Sequence, residues 1–282
     1  MADASQPDNT AVRVALWRAL HLELDEAPHV FVDDLALQLA APEPGWQRRR
    51  DMDPRWTSRN RASIVGRARF VEELLADTHA GGVTQYVVLG AGLDTFAQRH
   101  HLAAAMQVFE IDEPATQTWK QQRLTELGVA TPASVHFVPV DFEAGERWAD
   151  RLVDAGFDLA APVVVASTGV AVYLTLDAIT ATMRTVAGFA AGSTLVMSFM
   201  IPIADVDTDE QSSLHGAERG ARAGGTPWIS FFTPDQMVAM AMEAGFAHAR
   251  HVAPVEIEER WFGGRADGLR PSSAEHLLVA TT

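Results

Sequence analysis

An α/β fold with a mostly parallel sheet of about seven strands is what this sequence predicts, and three observations predict it. From residue 86 onward, short β-branched runs alternate with stretches of helical period, which is the pattern of parallel strands joined by crossover helices. The first run passes into a helix through Gly90-Ala91-Gly92. The second and third runs each close on a carboxylate, Asp112 and Asp141.

The elements follow in order. Residues 11–24 and 31–41 place Val14, Leu16, Trp17, Leu20, Val32, Leu35 and Leu39 near helical spacing, and the Pro and Gly of 42–45 end that unit. A longer helix is expected over 63–76, stopped by Gly81-Gly82. Strands are expected at 86–89, 107–111, 135–140, 162–166 and 194–199, with helices at 96–105, 114–127, 148–155 and 176–190 between them. The polar stretch 205–225 is too long for an idle loop and predicts a lid or capping helix over a site. Thr233-Pro234 opens a helix that Gly245 ends, and runs at 248–257 and 274–280 supply the last two strands. The expected organisation is one domain over 1–282: a helical cap (1–62), a cofactor-binding core (63–200), the lid (201–228) and a closing helix with strands (229–282).

Composition bounds the function. Apolar residues make up 48% of the chain and charged residues 21%, enough for a sizeable core. With no cysteine, disulfides, thiolate metal sites and cysteine nucleophiles are excluded. The net charge of −15, with Lys120 the single lysine, repels phosphate backbones and argues against a nucleic-acid partner. Arg48-Arg49-Arg50 is the one basic cluster, and Asp51 and Asp53 interrupt it. No apolar run is long enough to span a membrane, and the polar, acidic opening resembles no leader, so a cytoplasmic protein is expected. The histidines show no metal-ligand spacing and no metal is expected; Val165 stands where a hydrolase elbow at Ser167 needs glycine.

The chemistry centres on the glycine turn. A ligand edge approaches backbone where no Cβ intervenes, and the following helix N-terminus points amide dipoles at it. A dinucleotide site wants a third glycine where this chain has Thr95, and Asp94 stands just before it. A carboxylate there repels a pyrophosphate and attracts the sulfonium and ammonium of S-adenosyl-L-methionine; Asp94 as a plain helix cap is compatible with either. Glu110 and Asp112 share one face by alternation, so either or both suit the ribose hydroxyls, with Asp112 nearer the strand end. Asp141 with Phe142 offers an acceptor for an adenine amine and a ring to stack on.

Taken together, QYVVLGAGLDTFAQR, VFEIDEPATQTWKQQRL, FVPVDF, GVAVYLT, GRARFVEELLAD and the closing AEHLLVA resemble the leucine carboxyl methyltransferase family, in particular its bacterial branch of S-adenosyl-L-methionine-dependent methyltransferases. The resemblance spans almost the whole chain. It implies a Rossmann-like class I methyltransferase fold, S-adenosyl-L-methionine as cofactor with S-adenosyl-L-homocysteine as product, and methylation of a small molecule or peptide. It also implies Gly90, Ala91 and Gly92 as the backbone cradle, Asp112 on the ribose, and Asp141 with Phe142 at the adenine. An arginine of the helix before the first strand should take the methionine carboxylate, Arg67 first and Arg69 as its competitor.

One departure stands out: many relatives carry a glutamate-glycine pair where this chain has Thr168-Gly169, so Thr168 occupies a cofactor-side position without a charge. Tyr173 matches a family tyrosine that faces the acceptor; a half-buried packing residue is the other reading. If the acceptor is a carboxylate no base is needed; if it is a hydroxyl, His215 or Glu218 of the lid are the candidates. Trp228, Phe231 and Phe232 are candidate pocket walls. Two alternatives accompany the methyltransferase reading: a nicotinamide-dinucleotide oxidoreductase, and a cofactor-binding protein without catalysis.

Overall fold

Seven strands form one sheet in the order β3-β2-β1-β4-β5-β7-β6. They are β1 (Gln85–Leu89), β2 (Gln107–Asp112), β3 (Val135–Pro139), β4 (Val163–Ser167), β5 (Thr194–Met200), β6 (His248–Val252) and β7 (Glu275–Thr281). The first five are mutually parallel, whereas β7 runs antiparallel to both β5 and β6. This computed structural model describes residues 9–141 and 146–282.

The helices are α1 (Asn9–Leu24), α2 (Ala36–Ala40), α3 (Ser58–Ala80), α4 (Phe96–Arg99), α5 (Pro114–Glu126), α6 (Trp148–Asp154), α7 (Leu176–Ala187), α8 (Thr208–Ala223), α9 (Pro234–Ala244) and α10 (Pro254–Trp261). Both faces of the sheet are covered, which is why β1, β4 and β5 read as continuous apolar runs rather than alternating ones. Val87, Leu89, Phe109 and Ile111 pack on one face with α7 and α9, and Tyr86, Val88 and Val108 on the other with α3 and α10. The N-terminal helices have their own small core around Leu16, Leu20, Trp46 and Leu93.

Two sequence expectations are corrected. The run 248–257 is a strand only to Val252; Pro254 cannot donate to a ladder and instead starts α10, where the Glu256 carboxylate accepts from Ala253 N at 2.9 Å. The helix expected over 31–41 is only α2, because the backbone amides of Leu35 and Ala36 turn back onto the Asp33 carboxylate. The capping helix expected within the polar stretch 205–225 is present as α8, with Asp209 and Glu210 complementing the dipole in its first turn. No helix among the described residues is long and apolar enough to cross a membrane.

Candidate active site

Strands β1 and β4 are neighbours whose onward connections lead to opposite halves of the sheet, so a crevice opens at their carboxyl ends. The glycine turn lies there. Gly90 (φ 69°) and Gly92 (φ 51°) occupy left-handed backbone that side chains disfavour. The amides of Gly90 and Ala91 both donate to Ile111 O, at 2.9 and 3.0 Å, drawing the turn over the end of β2. Gly92 N then donates to Asp112 Oδ2 at 2.5 Å, while Asp112 Oδ1 accepts from Glu113 N at 2.7 Å. The carboxylate is thereby fixed beside the turn.

The turn's small side chains also serve packing within the protein. A Cβ at Gly90 would lie 2.6 Å from Val170 Cγ2, in the loop after β4, and one at Gly92 would lie 3.1 Å from the Ala11 methyl of α1. Asp94 takes the capping role: its Oδ1 accepts from Phe96 N at 2.8 Å. Thr95, the residue in place of a third glycine, donates its hydroxyl to Asp33 Oδ2 at 2.7 Å. The same oxygen accepts from Arg18 Nε at 2.8 Å, and Arg18 Nη2 donates to Leu93 O at 2.6 Å. Burial opposes the charge on Asp33, but Arg18 and the Thr95 hydroxyl outweigh it and hold the carboxyl below its usual range. This lock between the cap and the turn joins residues that nothing in the sequence pairs.

Glu110 does not reach the crevice. It is 1% exposed and ion-paired with Lys120 of α5, itself 1% exposed, and Gln117 Nε2 donates to its backbone carbonyl at 2.6 Å. Alternation gave Glu110 and Asp112 one face, but it did not show that α5 covers the earlier residue. The ribose role expected of either is therefore carried forward for Asp112 alone.

On the β4 side lies a cavity of about 970 Å³. Arg67 of α3 lines it, ion-paired with Glu275 at the start of β7. The guanidinium sits under Gly169 (φ 74°), where a Cβ would fall 2.6 Å from its Nη2. Gly169 N donates to Ser198 Oγ at 2.7 Å, fixing that loop to β5. Arg69, two residues on, points elsewhere: it bonds Glu73 on an exposed face and does not line the cavity. Tyr173 and Trp228 line the cavity, whereas Phe231 and Phe232 pack into the core.

Ser213, Leu214 and Ala217 of α8 wall the cavity, but His215 and Glu218 do not. His215 is 54% exposed and faces Glu218 at 3.6 Å, so the helix period turns both away from the cavity. The general-base role expected of them is not carried forward. Thr168 lies half-buried beside Gly169, outside the cavity lining. Asp141 lines a separate depression with Phe137 and Pro139, its amide donating to Glu146 at 3.1 Å. Phe142 lies outside the described residues. Asp207, Asp209 and Glu210 cluster at the start of α8, and Arg59 binds both Asp209 and Glu210.

The family model for leucine carboxyl methyltransferase matches residues 11–187, the stretch that carries the glycine turn, Asp112 and the Arg67 helix. The chain belongs to the leucine carboxyl methyltransferase family. Within that family it is similar to "Putative S-adenosyl-L-methionine-dependent methyltransferase YktD" of Bacillus subtilis, 30% identical over 77% of this chain and 71% of that one. A relative of the same description from Mycolicibacterium paratuberculosis is 34% identical over 59% of this chain, and the match spans about half of its length, 51%. Among solved structures, a DUF574 family protein from Streptomyces avermitilis superposes with a TM-score of 0.62 at 16% identity, covering 99% of this chain and 98% of that one. A "putative methyltransferase" from Thermobifida fusca superposes with a TM-score of 0.60 at 18% identity, covering 99% of this chain and 96% of that one. These likenesses show the family's Rossmann-like fold, and the antiparallel β7 between β5 and β6 separates it from the dinucleotide-binding order, in which a sixth strand follows the fifth.

Proposed function

We propose that this chain is an S-adenosyl-L-methionine-dependent methyltransferase that methylates an oxygen, preferentially a carboxylate oxygen, of a small molecule or peptide. The observation that carries the cofactor reading is the Asp112 carboxylate bound to Gly92 N at the end of β2. There it can accept from both ribose hydroxyls, as acidic residues at this position do for adenine nucleosides.

The residues present fit the rest of that cofactor. A zwitterionic amino acid matches the Arg67–Glu275 pair charge for charge: the guanidinium fork takes the α-carboxylate and Glu275 takes the α-ammonium. Glu275 thus offers, from β7, the negative charge that Thr168 lacks. The adenine role of Asp141 and Phe142 is retained within this reading, as are Gly90 and Ala91 as backbone cradle.

The bound sulfonium supplies an activated methyl group. The protein's part is to align the acceptor oxygen and keep water out. Tyr173 lines the cavity with its phenol and is assigned to position that oxygen. Among the described residues no histidine lines the cavity, and its carboxylates are already engaged: Asp51 by Arg49, Glu210 by Arg59 and Glu275 by Arg67. A hydroxyl acceptor needs a group to take its proton; a carboxylate needs none.

The test is a panel of matched aryl carboxylic acids and phenols with methyl-labelled cofactor. Label is expected in base-labile esters of the acids. Label confined to base-stable ethers of the phenols would overturn the carboxylate preference, and no transfer to any acceptor despite cofactor binding would favour a binding protein without catalysis.

A further inference from the structure

The cavity is positively charged in a strongly negative chain. The formal net charge of the protein is −15, yet among the described residues five arginines and three carboxylates line this space. The three carboxylates are each bonded to an arginine, two of which, Arg59 and Arg67, are among the five. The remaining three, Arg13, Arg50 and Arg219, have no carboxylate within ion-pair distance among the described residues. They come from α1, the 3-10 turn Arg50–Met52 and α8, three elements distant in sequence that all line this cavity.

Two further observations concern the same cavity. Thr10 Oγ1 lines the cavity, is buried and has no hydrogen-bond partner among the described residues; it lies one turn before Arg13 on α1. A buried hydroxyl left unpaired is costly unless something bonds it. Apolar surface is also present: Trp56 lines the cavity yet is 69% exposed, and Trp17 lies beneath Arg13, whose guanidinium is 5.9 Å from its ring centroid.

We propose that the acceptor is a small anion with a flat apolar body, its anionic group met at the mouth by Arg13, Arg50 and Arg219 and its body resting on Trp17 and Trp56. This deepens the methyltransferase reading and rests on it only for the word acceptor. The anion site itself is distinct from Arg67, whose charge is committed to Glu275. Unpaired guanidinium groups at a partly dry opening attract anions strongly, and a planar body gains from stacking on indole.

Two fluorescent probes that differ only by a sulfonate test this: 8-anilinonaphthalene-1-sulfonate and N-phenyl-1-naphthylamine. In low salt the sulfonate is expected to bind about tenfold more tightly than its uncharged counterpart, and the preference should shrink in high salt. Arg13→Gln with Arg50→Gln and Arg219→Gln should abolish the preference and leave the uncharged probe's affinity unchanged. The three corresponding Arg→Lys changes should largely retain it, which separates lost charge from lost fold. Equal binding of the two probes to the wild type, or a preference that survives the glutamine changes, would overturn the proposal. Calorimetry with S-adenosyl-L-homocysteine on the same proteins keeps the two ideas apart. Failure of the wild type to bind it, with the sulfonate preference intact, would overturn the cofactor reading and support the anion site.

Discussion

Replacing Lys120 with methionine is expected to destabilise the protein by about 3–5 kcal/mol, because the Glu110 carboxylate would be left buried without its counter-ion. Both side chains of the pair are 1% exposed, and Glu110 Oε1 has no hydrogen-bond partner among the described residues. Even with Lys120 in place, burial raises the Glu110 carboxyl above its usual value, the lysine only partly offsetting it. The sign of the pH dependence follows. A carboxyl whose folded pKa lies above its unfolded value binds more protons in the native state, so its charge destabilises the fold increasingly as pH rises through that interval. Without Lys120 the interval widens upward. The Lys120→Met protein should therefore lose more stability near pH 8 than near pH 5, as read by urea unfolding at both. Adding Glu110→Gln should recover most of the loss at the higher pH. A Lys120→Met protein as stable as the wild type would show that the pair does not hold α5 to β2.

Arg67→Met is expected to weaken S-adenosyl-L-homocysteine binding about 100-fold, the scale for truncating one member of a buried, hydrogen-bonded charge pair. Arg67→Lys keeps the charge but not the fork and should lie between. Arg69→Met should leave the affinity unchanged, because Arg69 bonds Glu73 on the outer surface. Arg67→Met also strands Glu275, which is 14% exposed, so some loss of stability is expected with it. Glu275→Gln in the same background should restore the thermal midpoint without restoring affinity. Equal losses of affinity in the Arg67 and Arg69 variants would contradict the assignment.

The contrast between these two arginines shows what the sequence could and could not reveal. Their spacing of two places them on different helix faces, but nothing local says which face meets the cavity. That depends on β7, which brings Glu275 to α3 from 208 residues away. The strands, the glycine turn and the position of Asp112 at the end of β2 are legible because period, turn chemistry and strand-end position are local properties. Glu110 was misjudged because its partner's burial depends on how α5 lies across the sheet. The sixth strand reads too long in the sequence because apolar Val255 and Ile257 disguise the helix that Pro254 begins. The Arg18–Asp33–Thr95 lock joins elements far apart in the chain and left no local signature. His215 looked chemical by residue type; only the helix geometry showed which way it faces.

The central claim is that Gly92 and Asp112 together hold a sulfonium nucleoside at the end of β1 and β2. Calorimetric titration of the well-folded protein with S-adenosyl-L-homocysteine tests it most directly, with NAD as the comparison ligand. One-to-one binding of the former, none of the latter, and loss of binding in the Gly92→Val, Asp112→Ala protein are expected. No heat from the wild type, or binding that persists unchanged in the double variant, would contradict it.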